Sequence, residues 1–187
     1  MQWNVIIPWK QGPDTKSRLG GVLDARQRMM LAADMARRVV DCVAEVEAVG
    51  MVRLLAPAAP LDWPCAWVRD EGRGLNRELT AARLRFGTSR FVVVHADLPK
   101  LVAGDIARLL AAAEDAGAAF APDRHGQGTN AVALADVDPF AFAFGPNSLA
   151  RHRSQRLQAA IVETEGLGFD IDVPEDLRGI SAGRILS

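Results

Sequence analysis

Phe91-Val92-Val93-Val94 is the stretch that most restricts what this chain can fold into. Four consecutive apolar residues, three of them β-branched, leave no polar face for solvent. Such a strand is buried on both sides, as in the middle of a parallel sheet covered by helices. The residues that follow, Ala96-Asp97-Leu98-Pro99, then place a carboxylate at the carboxyl end of that buried strand.

The rest of the chain repeats this alternation. Val5-Ile6-Ile7 reads as a first buried strand, and a loop rich in Gly, Pro and Lys follows it. Asp24 to about Val46 carries a helical pattern, with Met30, Ala33, Met35, Val39, Val40 and Val43 as its apolar face. Met51 to Leu55 and Trp67-Val68 read as strands. Gly74 to Phe86 reads as a loop and then a helix closed by Gly87. A helix is expected over Asp105–Ala116, strands over Ala118–Pro122 and Ala131–Leu134, and a charged helix from Ser148 to about Ala160. Gly168 to Leu177 crosses a loop into a short closing helix. Strands alternating with helices predict an α/β fold, a mostly parallel sheet flanked by helices. At 187 residues and 49% hydrophobic the chain can bury one substantial core, so a single domain over 1–187 is expected.

Charge narrows the partners. With 22 basic and 23 acidic residues the net charge is -1, which gives no support to a nucleic-acid or membrane-surface binder. No apolar run approaches the roughly 20 residues of a membrane span, and the start MQWNVIIPWK lacks the marks of a signal peptide. Cys42 and Cys65 form no C-x-x-C pair, so reduced thiols and a cytoplasmic setting are expected.

In sheets of this kind ligands gather beyond the carboxyl ends of the strands. The rule selects Lys10 to Arg18, Asp97, Asp123 to Asn130, and the loop holding Asp170 and Asp172. Lys10, Lys16 and Arg18 suit a triphosphate, whose charge they would balance, although a loop of this composition is also read as simply solvated. It is not a Walker loop, because the glycine spacing differs. Asp97 is read either as an oxygen ligand for Mg²⁺ or as a turn or capping aspartate ahead of Pro99. Alternation puts Asp170 and Asp172 on one face of an extended segment, where one or both could complete a metal site with Asp97. Pro174, Glu175 and Asp176 suit the first turn of a helix. The run His125-Gly126-Gln127-Gly128-Thr129-Asn130 resembles a backbone cradle for an anion. Ser148, after Gly145-Pro146-Asn147, either caps a helix or holds a phosphate or carboxylate. His152 is expected on a solvated helix face.

In order along the chain, these segments resemble the guanylyltransferases of deazaflavin coenzyme F-420 biosynthesis, relatives of the molybdenum-cofactor guanylyltransferases. The resemblance rests on Lys16-Ser17-Arg18-Leu19, Arg28, Gly74-Leu75-Asn76, Ala96-Asp97-Leu98-Pro99, Ala121-Pro122-Asp123-Arg124, Gly128-Thr129-Asn130, Phe144-Gly145-Pro146-Asn147-Ser148 with His152, and Asp170 to Leu177. It implies a nucleotide-diphospho-sugar transferase fold and transfer of GMP from GTP to 2-phospho-L-lactate, phosphoenolpyruvate or 3-phospho-D-glycerate. It also implies Mg²⁺ on Asp97 and on Asp170 or Asp172. Lys10, Lys16, Arg18, Gly74 and Asn76 would serve the nucleotide, with Lys16, Arg18 and Asp97 catalytic. Thr129, Asn130, Gly145 and Ser148 would hold the phosphoacid. Coupling to the downstream transferase of the pathway is a further expectation. The alternatives are a related enzyme acting on molybdopterin or a sugar phosphate, and a silent nucleotide-binding subunit. Against the first, the opening loop lacks the L-x-G-G-x-S-x-R-M-G pattern.

Overall fold

A computed structural model of the chain describes residues 2–179. In chain order its elements are β1 (Trp3–Pro8), α1 (Ala25–Ala44), β2 (Val49–Ala56), β3 (Ala66–Arg69), α2 (Leu75–Phe86) and β4 (Phe91–Val94). Then come α3 (Ala103–Ala116), β5 (Ala118–Pro122), β6 (Thr129–Leu134), α4 (Ser148–Gln155), β7 (Ala160–Ile161) and α5 (Glu165–Gly168). Two 3-10 segments, Ser17–Leu19 and Pro174–Gly179, add to these.

All four residues of β4 are buried, and the strand lies in the middle of a seven-stranded sheet of order β3-β2-β1-β4-β6-β5-β7. The valines of β4 alternate between two cores. Val92 and Val94 pack with Ala36, Val39 and Val40 of α1 and Ile106 and Leu109 of α3. Phe91 and Val93 face Leu79 of α2, Leu149 of α4 and the loop aromatics Phe140, Phe142 and Phe144. Burying one such side chain contributes about 1.5–3 kcal/mol, which is why a strand with no polar residue settles in the centre of the sandwich. The sheet is mostly parallel, as expected; among the described strands β6 alone runs opposite to its neighbours β4 and β5. That reversal matters for the site: it brings the start of β6 to the edge where the parallel strands end.

Several local expectations are corrected. The apolar stripe of α1 is Leu31, Ala32, Met35, Ala36, Val39, Val40 and Val43, whereas Met30 is 47% exposed and Ala33 lies at the flank. Asp24 caps that helix, its carboxylate accepting from Gln27 N at 2.8 Å. The helix beginning at Ser148 ends at Gln155, because Arg156 leaves helical geometry (φ -141°) and its guanidinium reaches Asp136 at 3.3 Å. Ala160-Ile161 then pair in parallel with Ala119-Phe120 as an edge strand. The single turn α5, held by Thr164 Oγ1 accepting from Leu167 N at 3.1 Å, has no periodicity by which the sequence could announce it. His152 is fully buried rather than solvated, since α4 turns Ser148, Leu149 and His152 inward together.

Candidate active site

Beyond the carboxyl ends of β1 and β4 lies a cavity of about 620 Å³. Lys10, Lys16 and Arg18 line it from the first loop, Gly74 and Leu75 from the start of α2, His95 and Asp97 from the end of β4, and Asp172 from the last loop. At its centre Lys16 bridges two carboxylates: its ammonium donates to Asp97 Oδ2 and, at 3.2 Å, to Asp172 Oδ1. Arg18 approaches the other Asp172 oxygen at 3.5 Å. Lys16 has φ 51°, a left-handed conformation that a side-chain-bearing residue adopts only where its surroundings impose it. Those surroundings are a staple from α1. Arg28 donates from Nε to Thr15 O at 3.2 Å, from Nη1 to Leu23 O at 3.0 Å and from Nη2 to Pro13 O at 2.9 Å.

The charges are strongly coupled. Burial alone would push the Asp97 carboxyl up, but the Lys16 ammonium and then His95 outweigh it and hold it below its ordinary value. Burial would lower Lys16, yet Asp97 and Asp172 together raise it. Asp170 is raised, first by burial and then by repulsion from Asp97 and Asp172, so three carboxylates converge on this edge. Asp97 Oδ1 is buried and has no hydrogen-bond partner. Among the described residues no cluster of three or more metal-binding side chains is assembled. Mg²⁺ needs fewer: it commonly takes one or two protein carboxylates and completes its shell with water and phosphate. Asp97 lines the cavity and its Oδ1 has no hydrogen-bond partner, so it keeps an acceptor that such an ion could use.

The family model described as "Guanylyl transferase CofC like" matches residues 3–182. The chain belongs to this family. Phosphoenolpyruvate guanylyltransferases from Sphaerobacter thermophilus and Rubrobacter xylanophilus are each 35% identical to it, over 94% and 95% of this chain and 91% and 92% of theirs. In structure it resembles a Desulfovibrio desulfuricans protein described as a nucleotide-diphospho-sugar transferase, with a TM-score of 0.72 at 17% identity over 95% of this chain and 85% of the other. The 4-diphosphocytidyl-2C-methyl-D-erythritol synthase of Anaerococcus prevotii superposes with a TM-score of 0.57 at 11% identity, over 95% and 96% of the two chains. The chain is therefore a GTP-using guanylyltransferase on a nucleotide-diphospho-sugar transferase fold.

In this guanylyltransferase the sequence-derived residues separate into two groups. Lys10, Lys16, Arg18, Gly74, Asp97 and Asp172 share the cavity, with Asp170 electrostatically coupled beside it. Gly74 has φ 91° and open space where a Cβ would stand, so the backbone requires glycine and leaves room for a ligand. Asn76 spends its amide internally: Oδ1 accepts from Phe144 N at 2.8 Å and Nδ2 donates to Phe144 O at 3.1 Å. Asn130 likewise donates to Leu167 O at 2.9 Å. Thr129 and Ser148 form a separate buried pair, their hydroxyl oxygens 3.2 Å apart, next to the exposed turn at Gly145. A bulge creates that pair. Ala121 aligns with Ala131 but Pro122 with Thr129, leaving Asn130 as an extra residue. Thr129 thereby turns to the face opposite Ala131, where α4 waits.

Two buried carboxylates act as clamps. Glu78, 2% exposed, accepts from Glu71 N at 3.1 Å, from Arg73 N at 3.0 Å and from the Arg73 guanidinium at 2.7 Å, pinning the loop before Gly74. Asp176 accepts from Asp172 N at 2.7 Å, Val173 N at 2.9 Å and Arg124 Nη2 at 2.5 Å, so it sets where Asp172 stands. The first-turn reading of Asp176 holds, since it accepts from Val173 N at the start of the 3-10 segment Pro174–Gly179, but its grip on Arg124 and Asp172 had no signal in the sequence. Nothing in the spacing distinguished Glu78 from an ordinary first-turn acid.

Proposed function

We propose that the chain transfers GMP from GTP to phosphoenolpyruvate and releases pyrophosphate, as a step of coenzyme F-420 biosynthesis in the cytoplasm. The observation that carries the reaction class is the Lys16–Asp97–Asp172 ion cluster in a cavity at the sheet's carboxyl edge. The acceptor rests on the names of the Sphaerobacter thermophilus and Rubrobacter xylanophilus relatives.

In this reading an oxygen of the acceptor's phosphate attacks the α-phosphorus of GTP. One P–O bond forms, the bond to the bridging β-phosphate oxygen breaks, and pyrophosphate leaves in line. A phosphate monoester is already mostly dianionic at neutral pH, with a second pKa of about 6, so no general base is required. Asp97, with Asp172 or Asp170 as a second carboxylate, would hold Mg²⁺, which supplies charge neutralisation on the phosphates. Lys16 and Arg18, with Lys10 at the rim, balance the triphosphate and the departing pyrophosphate. Gly74 lets the nucleotide approach the backbone at the start of α2. Asn76 acts on the site indirectly, by fixing the backbone of Phe144 ahead of Gly145, and Thr129, Asn130, Gly145 and Ser148 form the acceptor's end of the site. The product is a reactive diphosphodiester, so functional coupling to the downstream transferase is part of the same proposal.

The test is pyrophosphate release with GTP and Mg²⁺ and each of phosphoenolpyruvate, 2-phospho-L-lactate and 3-phospho-D-glycerate, with ATP and CTP as controls. Turnover with GTP and phosphoenolpyruvate is the expected result. Turnover only with another of the acids replaces the acceptor, and silence with all three overturns the reaction.

A further inference from the structure

A buried hydrogen-bond chain ends on the Thr129–Ser148 hydroxyl pair. Its first link is the backbone N–H of Ala143, which donates to His152 Nε2 at 3.0 Å. An imidazole nitrogen that accepts from an N–H carries no proton, so the proton of the neutral ring sits on Nδ1. Nδ1 lies 3.1 Å from Thr129 Oγ1 and donates to it. Thr129 Oγ1 is in turn 3.2 Å from Ser148 Oγ. Each hydroxyl has one proton, and one of them closes the bond between the two. The other has no acceptor among the described residues, whichever way the pair is oriented.

The surroundings keep this polarity in place. His152 is fully buried, and its ring lies against Phe120, Phe140 and Phe144 at centroid distances of 5.7, 5.4 and 5.0 Å. Burial pushes the imidazole down to about 4, helped by Arg151 and His95, so it stays neutral at pH 7. Thr129 and Ser148 are 2% and 1% exposed, and a buried donor left without a partner is unfavourable until a ligand oxygen accepts from it. A carboxylate or phosphate oxygen of a phosphoacid, electron-rich and proton-free, is suited to accept it.

We infer that His152 is the positioning residue of the acceptor site: by donating to Thr129 it forces the Thr129–Ser148 pair to present a hydroxyl proton to an anionic oxygen of the phosphoacid. This rests on the acceptor role proposed above for those hydroxyls. His152 touches no reacting atom. Its effect is on the affinity and orientation of the acceptor and not on GTP.

The experiment uses the full chain and two substitutions that split the ring's two bonds. His152→Gln retains an acceptor for the Ala143 N–H and removes the donor to Thr129. His152→Asn keeps an amide N–H where Nδ1 stood. His152→Gln is expected to raise the KM for the phosphoacid about 10-fold, the value of one oriented hydrogen bond. The KM for GTP should stay within about twofold. His152→Asn is expected to restore most of the acceptor KM. Inorganic phosphate and pyruvate as competitive inhibitors identify the anionic group, since the one that loses affinity in His152→Gln is the one that meets the hydroxyl. Equal increases in both KM values, or no change in either, would overturn the inference. Nitrogen-15 spectra of the unsubstituted protein provide a reading that needs no variant to fold. An Nδ1–H tautomer of His152 at pH 7 is expected, and an Nε2–H tautomer refutes the chain. A protein that shows the Nδ1–H tautomer yet turns over none of the phosphoacids removes the proposed reaction and leaves the polarity of the chain standing.

Discussion

Replacing Asp97 by asparagine separates what the Lys16 ion cluster does for stability from what it does for chemistry. The carboxylate accepts from a Lys16 ammonium that is 12% exposed, a hydrogen bond between charged groups. Such bonds contribute about 1.5–3 kcal/mol, and a neutral acceptor in the same place about 0.5–1.5 kcal/mol. Lys16 also keeps Asp172 at 3.2 Å, so it is not left unpaired. The difference, about 1–2 kcal/mol, is well inside the roughly 5–15 kcal/mol stability of a domain. For a chain of this length it corresponds to a fall of about 2–8 °C in melting temperature. The pH dependence follows from the depressed Asp97 carboxyl, whose contribution is present above the ordinary carboxylate range and is lost as pH falls through its lowered value. The gap between the two proteins should therefore be full at pH 7 and narrow towards pH 3. Turnover, measured as pyrophosphate release with GTP, Mg²⁺ and phosphoenolpyruvate, is expected to fall at least about 10²–10³-fold. A melting temperature that rises in Asp97→Asn would show that desolvation outweighs attraction in this cluster. Near-normal turnover with a native melting profile would remove Asp97 from the active site.

Arg28→Met should release the first loop from its three carbonyl anchors, raising the KM for GTP about 10-fold while circular dichroism stays native; an unchanged KM would show that the loop holds itself. Asp176 is depressed because backbone N–H groups of Val173 and Asp172 and the Arg124 guanidinium outweigh its burial, so its stabilisation is present above about pH 4 and lost in acid. Asp176→Asn should lower the melting temperature at pH 7 and flatten its decline between about pH 5 and 3, and parallel pH curves for the two proteins would contradict this. Burial, then Glu45, push the Cys42 thiol up to about 11, so thiol titration at pH 8 should label it only after denaturant is added. Fast labelling in the native protein would disprove that burial.

Much of the architecture was written in local pattern. Phe91 to Val94 announced a strand buried on both faces, and the sheet places it at its centre. Gly87 and Gly117 marked helix ends where the structure has positive φ values of 130° and 79°. Lys16, Arg18, Asp97 and Asp172 could be picked out because the carboxyl ends of parallel strands necessarily share one edge, so residues 156 positions apart meet there. That much is determined by the sequence by itself: period, punctuation and strand direction are properties of short segments. Only the tertiary structure decided the rest. Thr129 reaches Ser148 and His152 because β6 is antiparallel and carries one extra residue, and neither reversal nor bulge leaves a mark in TNAVAL. His152 sits in a polar-looking helix, ARHRSQ, whose inward side appears only once Phe120, Phe140 and Phe144 are assembled around it. Asn76 and Asp176 became clamps because Phe144 and Arg124 were brought to them from 68 and 52 residues away. Burial, and with it the proton on a histidine or the worth of a carboxylate, depends on what packs from across the chain, and no local pattern contains that.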